Sequence, residues 1–235
     1  WMSWGVRVRN WRVAGSAKNW GHTIDNISTD RTTAEQDARN LAANRGPSNF
    51  DRPHRFTATY VATIPTPLRS WRPARRLLGG WQVSGMATLQ SGSPFSALGN
   101  SGRNAQFAQP SVARVDWALG KTIDDARLSG PIQNRLTRFY DVSAFQDSLD
   151  HWGNAGRNIL RGPRQAQFDI ALAKTTSVRE GTSVEFRWEL FNAFNSPVFR
   201  NPASTFAAGG PGTAGTISST LGGPRTMQAA LRLRF

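Results

Sequence analysis

The sequence predicts an all-β chain, an antiparallel meander of about six or seven strands patterned as a transmembrane β-barrel with long extracellular loops. Three observations carry this. Apolar and polar residues alternate with a period of two along several segments, as the opposite faces of a strand require. Those segments run about 9 to 11 residues, the length that a tilted membrane strand needs. Short turns alternate with very long stretches poor in apolar periodicity, which compact water-soluble domains seldom tolerate.

The first strand is expected near residues 4–15, where Val6 and Val8 share one parity and Trp11 and Val13 the other, so a bulge or turn must intervene. A loop follows over 25–53. Within it, residues 34–44 are good helix formers and are expected to make two or three turns. At 55–65 the set Phe56, Ala58, Tyr60, Ala62 and Ile64 alternates with Thr57, Thr59 and Thr63, and only Val61 breaks the pattern. At 80–91 Trp81, Val83, Ala87 and Leu89 alternate with Gln82, Ser84, Thr88 and Gln90.

After a second long loop at 93–165, Phe168, Ile170 and Leu172 define a strand over 166–176. A short connection, Ser177 to Gly181, leads into a strand at 182–192, as in an antiparallel hairpin. There Val184, Phe186, Trp188 and Leu190 oppose Glu185, Arg187 and Glu189. A third loop, 195–224, precedes the last strand at 225–235, where Met227, Ala229, Leu231, Leu233 and Phe235 oppose Thr226, Gln228, Arg232 and Arg234.

Alternation by itself fits two solvents equally. A soluble β-sandwich would bury the apolar face in its core, and a barrel would turn it to lipid with water inside. Strand length, loop asymmetry and aromatic residues near strand ends favour the barrel. On that reading Glu185, Arg187 and Glu189 project into a watery lumen, where they could pair with a plug domain or simply be solvated.

Composition narrows the function classes. The 29 basic and 15 acidic side chains give a net charge of +14, which points to an anionic partner. The basic set is 26 Arg and only 3 Lys, an imbalance that nucleic-acid binders seldom need. The Arg-rich stretch Arg69 to Arg76 contains Trp71 and reads better as a turn at a lipid headgroup boundary. Lipopolysaccharide phosphates would be natural contacts for the basic excess.

With no Cys and only His22, His54 and His151, the chain offers no disulfide frame, thiol nucleophile or metal-ligand spacing. No apolar run approaches the roughly 20 residues of a membrane-spanning helix. Asp25, Asp51 and His54 are the nearest thing to an acid–base set, and Ser96 and Ser143 the nearest to nucleophiles, but no spacing or flanking glycine pattern supports them. The glycine-rich run Gly209 to Gly215 lacks the lysine of a phosphate loop. The expectation is neither an enzyme nor a cofactor protein.

The segment Glu189-Leu-Phe-Asn-Ala-Phe-Asn-Ser-Pro-Val-Phe199 resembles the E-x-F-N-x-F-N segment near the end of TonB-dependent outer-membrane receptors. Residues Asn40 to Phe56, Leu78-Gly-Gly-Trp-Gln-Val-Ser-Gly85, Gln90 to Phe95, Phe139 to Phe145 and Gly153 to Pro163 are similar to the Oar-like branch of that family. The resemblance spans about Thr23 to Phe235 and is weak over Trp1 to Gly21, where Trp and Arg are dense and the strand phase is broken.

This resemblance implies an outer-membrane transporter of a Gram-negative cell, with loops and plug that recognise an unknown ligand. It marks Glu185, Arg187, Glu189, Asn192 and Asn195 as motif or lumen-facing candidates. It makes Leu231, Leu233 and Phe235 the terminal signal read by the barrel-assembly machinery. The family's carboxypeptidase-regulatory-like domain, plug and TonB-contacting segment would lie upstream, so the chain, which opens at Trp1 in mid-pattern, is expected to be the last third of a barrel. The other classes in view are a secreted or surface β-protein that binds carbohydrate and, with less support, a basic nucleic-acid-binding module.

Overall fold

The computed structural model describes residues 7–9, 20–21, 36–37, 39–65, 78–99, 113–148, 151–207 and 210–235. Six of its strands form one antiparallel sheet: β1 (Arg7–Arg9), β4 (Arg55–Thr63), β5 (Trp81–Gln90), β10 (Gln165–Arg179), β11 (Thr182–Phe191) and β12 (Thr226–Arg234), paired in that order. Three two-stranded pairings stand outside it. These are β2 (Trp20–Gly21) with β3 (Gly46–Pro47), β6 (Pro94–Phe95) with β9 (Leu160–Arg161), and β7 (Asp116–Trp117) with β8 (Phe145–Gln146).

The register sorts the two faces as the alternation predicts. Phe168, Ile170 and Leu172 lie opposite Ala87, Gly85 and Val83 on one side, and Ile170 and Leu172 lie opposite Leu190 and Trp188 on the other. Leu190, Phe186 and Val184 face Met227, Leu231 and Leu233 in turn. Every apolar parity therefore falls on one face of the sheet, and Glu185, Arg187 and Glu189 fall on the other with Arg232, Ala230 and Gln228.

Among the described residues no second layer covers the apolar face. Phe186 is 36% exposed, Trp188 37%, Leu231 75% and Leu233 59%. A soluble sandwich would have buried these side chains, so this exposure separates the two solvents that alternation left equal. The same face carries a fitted pair: a Cβ on Gly85 would come within 2.6 Å of the Tyr60 hydroxyl, so the Tyr60 side chain lies over the glycine and covers it.

The connections divide by end. Arg55 pairs with Gln90 and Gln90 with Gln165, so the chain before β4 and the 91–164 connection leave the sheet at one end. The 192–225 connection leaves at that end too, because Phe191 pairs with Thr226. At the opposite end Ser183 pairs with both Ser177 and Arg234, placing the β10–β11 turn beside the C-terminus. In a membrane barrel the long loops are extracellular and the tight turns periplasmic, so Phe235 belongs to the periplasmic end.

Two expectations need correction. The β10–β11 link is a turn at Glu180–Gly181, because β10 continues to Arg179 past a register shift between Ser177 and Arg179. Of the helix expected at 34–44, the described residues form only a 3-10 turn, Leu41–Asn44, capped by the Asn40 side chain. Asn44 is pulled into a buried hydrogen-bond network, and that anchor overrides helix propensity. In the 4–15 stretch the described strand is Arg7–Arg9, paired with Val61 to Thr63; the parity change at Trp11 lies outside the described residues.

The buried core does not lie in the sheet at all. Phe95, Val115, Phe139, Tyr140, Phe145, Leu160 and Phe206 form one cluster within the connecting segments, with Ala97, Ala126, Ala144, Ala155 and Ala214. Phe145 is its hub, stacked on Trp117 at 4.6 Å between ring centroids and edge-on to Tyr140 at 6.0 Å and Phe206 at 6.1 Å. The stretches read as loops from their lack of periodicity thus fold into a packed cap at the extracellular end.

Candidate functional site: inner wall, loop cap and terminal strand

The polar face of β11 and β12 is a ladder of charge-assisted contacts. Glu185 accepts from Arg234 at 2.8 Å, Arg187 reaches along its own strand to Glu189 at 2.7 Å, and Glu189 also takes the Gln228 side chain. The sheet itself thus satisfies the three candidates Glu185, Arg187 and Glu189. The β4–β5 half of this face is uncharged apart from Arg55 at its extracellular end: Thr57, Thr59 and Thr63 oppose Thr88, Met86 and Gln82.

Asn192 and Asn195 have a local task. Both adopt left-handed backbone, with φ of 52° and 51°, which Asn tolerates better than other side chains that carry a Cβ. The Asn192 carboxamide accepts from the Ser196 N–H at 2.9 Å and donates to the Ser196 carbonyl at 3.2 Å. Its own N–H donates to Asp169 at 2.9 Å, and Asn195 accepts from the Arg225 N–H at 3.0 Å. The paired Asn residues of the motif therefore turn the chain off β11 and fasten it to β10 and to the start of β12. Asn192→Ala is expected to cost about 1–3 kcal/mol through backbone strain and lost hydrogen bonds. Asn192→Gly, which restores the backbone freedom, should recover part of that in urea unfolding followed by heat-modifiable gel migration.

Leu231, Leu233 and Phe235 share one parity of the terminal strand and are 75%, 59% and 97% exposed. Among the described residues β12 pairs only with β11, so its other edge carries unsatisfied backbone groups.

The cap is tied down by buried polar groups. Arg114, 4% exposed, donates from Nε to the Ala155 carbonyl at 2.8 Å, from Nη1 to Asn44 at 2.8 Å and from Nη2 to the Ala43 carbonyl at 3.1 Å. Its N–H donates to Gln36 at 2.7 Å, and Gln36 in turn donates to the Gly153 carbonyl at 3.0 Å. Burial, with a contribution from neighbouring Arg157, lowers the Arg114 pKa to about 10, so the guanidinium is still charged at neutral pH. A second tie joins the buried carboxylate of Asp51 to Arg161, bridging the segment before β4 to the strand that leads into β10.

Asp141 belongs to a shallower part of the cap. Burial pushes its pKa up, but bonds from the Ser143 hydroxyl, Arg138 and the Ser143 N–H outweigh that and hold it at about 2. A carboxyl depressed on folding contributes stability above its unfolded range near 4 and loses it as pH falls toward 2. Cleavage of the cap by pepsin is expected to set in across that window, and Asp141→Asn should flatten the dependence.

Of the acid–base and nucleophile candidates, Asp51, Ser96 and Ser143 are engaged in local contacts, and His54 is exposed. Asp51 is held by Arg161, Ser96 donates to Asn158 and Ser143 to Asp141, while Asp25 lies outside the described residues. Among the described residues no three His, Asp or Glu side chains are grouped to hold a metal ion.

Sequence reasoning missed a pocket of about 320 Å³ in the cap, whose polar lining comes from Asn49, Ser93, Ser96, Asn158, Asn201 and Ser204. Those residues are far apart in the chain, so no local motif marks them.

A family model described as an outer membrane beta barrel domain matches residues 14–228. The chain belongs to that family. The barrel domain accounts for the open apolar face, the polar inner face and the long loops gathered at one end, and it places the protein in the outer membrane of a Gram-negative cell. No curated protein and no solved structure matches the chain. The described strands of the barrel domain number six in the main sheet, fewer than the roughly eight of the smallest lipid-facing barrels.

Proposed function

We propose that this barrel domain is the C-terminal part of a TonB-dependent receptor of the Oar-like branch, which takes up a ligand across the outer membrane. The observation that carries this reading is the folded extracellular cap above a charged inner wall. The cap, with its own aromatic core and buried Arg114 network, is a rigid platform suited to recognising a ligand. The Glu185, Arg187, Glu189 and Arg234 ladder gives the lumen a surface on which a plug can rest. The Glu189 to Phe199 motif resembles that of the same receptors. Outer-membrane lipid and lipopolysaccharide are the partners of the outer face and its basic rim, and the barrel-assembly machinery is the partner of the terminal strand. Neither an enzymatic step nor a nucleic acid enters this reading.

The test is a pull-down of the native full-length protein, extracted from outer membranes in detergent, by the C-terminal domain of TonB. Binding is expected. Failure of correctly folded, heat-modifiable protein to bind would overturn the receptor reading and leave the barrel in place.

A further inference from the structure

The pocket in the cap differs from the rest of this basic protein. Among the described residues no Lys, Arg, Asp or Glu lines it. Its polar lining is entirely carboxamide and hydroxyl. Asn49 comes from the segment before β4; Ser93, Ser96 and Asn158 come from the β5–β10 connection; Asn201 and Ser204 come from the β11–β12 connection. All three extracellular segments thus converge on it.

Part of this lining is fixed by internal bonds. Asn158 donates to the Pro47 carbonyl at 2.8 Å and to the Asn49 carboxamide oxygen at 2.6 Å, and its N–H donates to the Ser96 hydroxyl at 2.9 Å. Ser93 donates to the Asn201 carboxamide oxygen at 2.8 Å. Those bonds orient Asn49 and Asn201 by their oxygens, and among the described residues no hydrogen bond engages either Nδ2 or the Ser204 hydroxyl. These three groups are half-buried at the pocket. Pro94, Phe95, Leu98 and Pro202 supply the apolar remainder.

We propose that this pocket binds a neutral, polyhydroxylated ligand the size of a mono- or disaccharide, and this names the ligand class of the receptor read above. A sugar hydroxyl both donates and accepts, which matches carboxamide and hydroxyl partners, and the C–H faces of a sugar ring match proline and leucine. An anion finds no cation in the lining, and a purely apolar ligand would leave oriented donors unpaired.

The experiment is equilibrium binding of labelled glucose, galactose, mannose, maltose, cellobiose and lactose to the full-length protein in detergent, with glucose 6-phosphate and trialanine as contrasting probes. At least one neutral sugar is expected to bind, and glucose 6-phosphate more weakly than glucose. Asn201→Asp keeps the acceptor toward Ser93 and removes the free donor; Ser204→Ala removes the hydroxyl. Each is expected to weaken sugar binding about 3- to 10-fold without altering heat-modifiable migration. No binding across the sugar panel, preference for the phosphate or peptide probe, or unchanged affinity in both variants overturns the proposal. The TonB pull-down on the same preparation keeps the failures apart: TonB bound without sugar sinks the pocket, and sugar bound without TonB sinks the receptor reading.

Discussion

Leu172→Arg is expected to abolish accumulation of the folded protein in the outer membrane, while Ser84→Arg leaves it unchanged. Leu172 is the middle residue of β10, with Val83 on one side and Trp188 on the other, all on the apolar face. An arginine facing lipid at the bilayer midplane costs about 2–4 kcal/mol. Ser84 lies between Val61 and Ala171 on the opposite face, where an added guanidinium meets water. The two strands are adjacent and the substitutions chemically alike, so only the solvent on each face separates them. Heat-modifiable migration of outer-membrane fractions reads the difference, and equal behaviour of the two variants would contradict the assignment of faces.

The second large effect is on the cap. Phe145→Ala should expose the extracellular segments to trypsin on intact cells while the barrel strands stay protected. Phe145 is 5% exposed and touches Trp117, Tyr140 and Phe206 at once, so its removal opens a cavity at the meeting point of the aromatic cluster. Truncations of this kind cost about 3–5 kcal/mol. The cap core shares no side chains with the apolar face of the sheet, so the loss is local. Retained cap protection would mean that the buried polar ties of Arg114 and Asp51 hold the cap without its aromatic centre.

The glycines of the Leu78 to Gly85 motif show how much of a motif is backbone geometry. Gly80 has φ of 75°, and a Cβ there would sit 2.2 Å from the Thr175 carbonyl oxygen, so only glycine allows β5 to start so close to β10. At the same point Lys174 lies 4.9 Å from the centroid of the Trp81 ring and donates to the Gly79 carbonyl at 3.1 Å. This pairing of a cation with an aromatic side chain suits the membrane–water boundary at the periplasmic end.

Strand positions and faces were legible in the sequence because a period of two is a local property: each side chain's face follows from its parity, whatever the strand pairs with. The paired asparagines after Glu189 were legible as a motif for a similar reason, since a left-handed turn asks for particular residues at particular positions. The cap was not legible. Its core gathers Phe95, Val115, Phe145 and Phe206 from irregular backbone, and its pocket gathers Asn49, Asn158 and Asn201 from three separate segments. Contacts between such distant positions follow no period, and the tertiary structure alone brings them together. The sequence by itself determined which side of each ribbon is greasy; the tertiary structure decided that none of the described residues forms a second layer over that side, and that the apparent loops hold the packed interior.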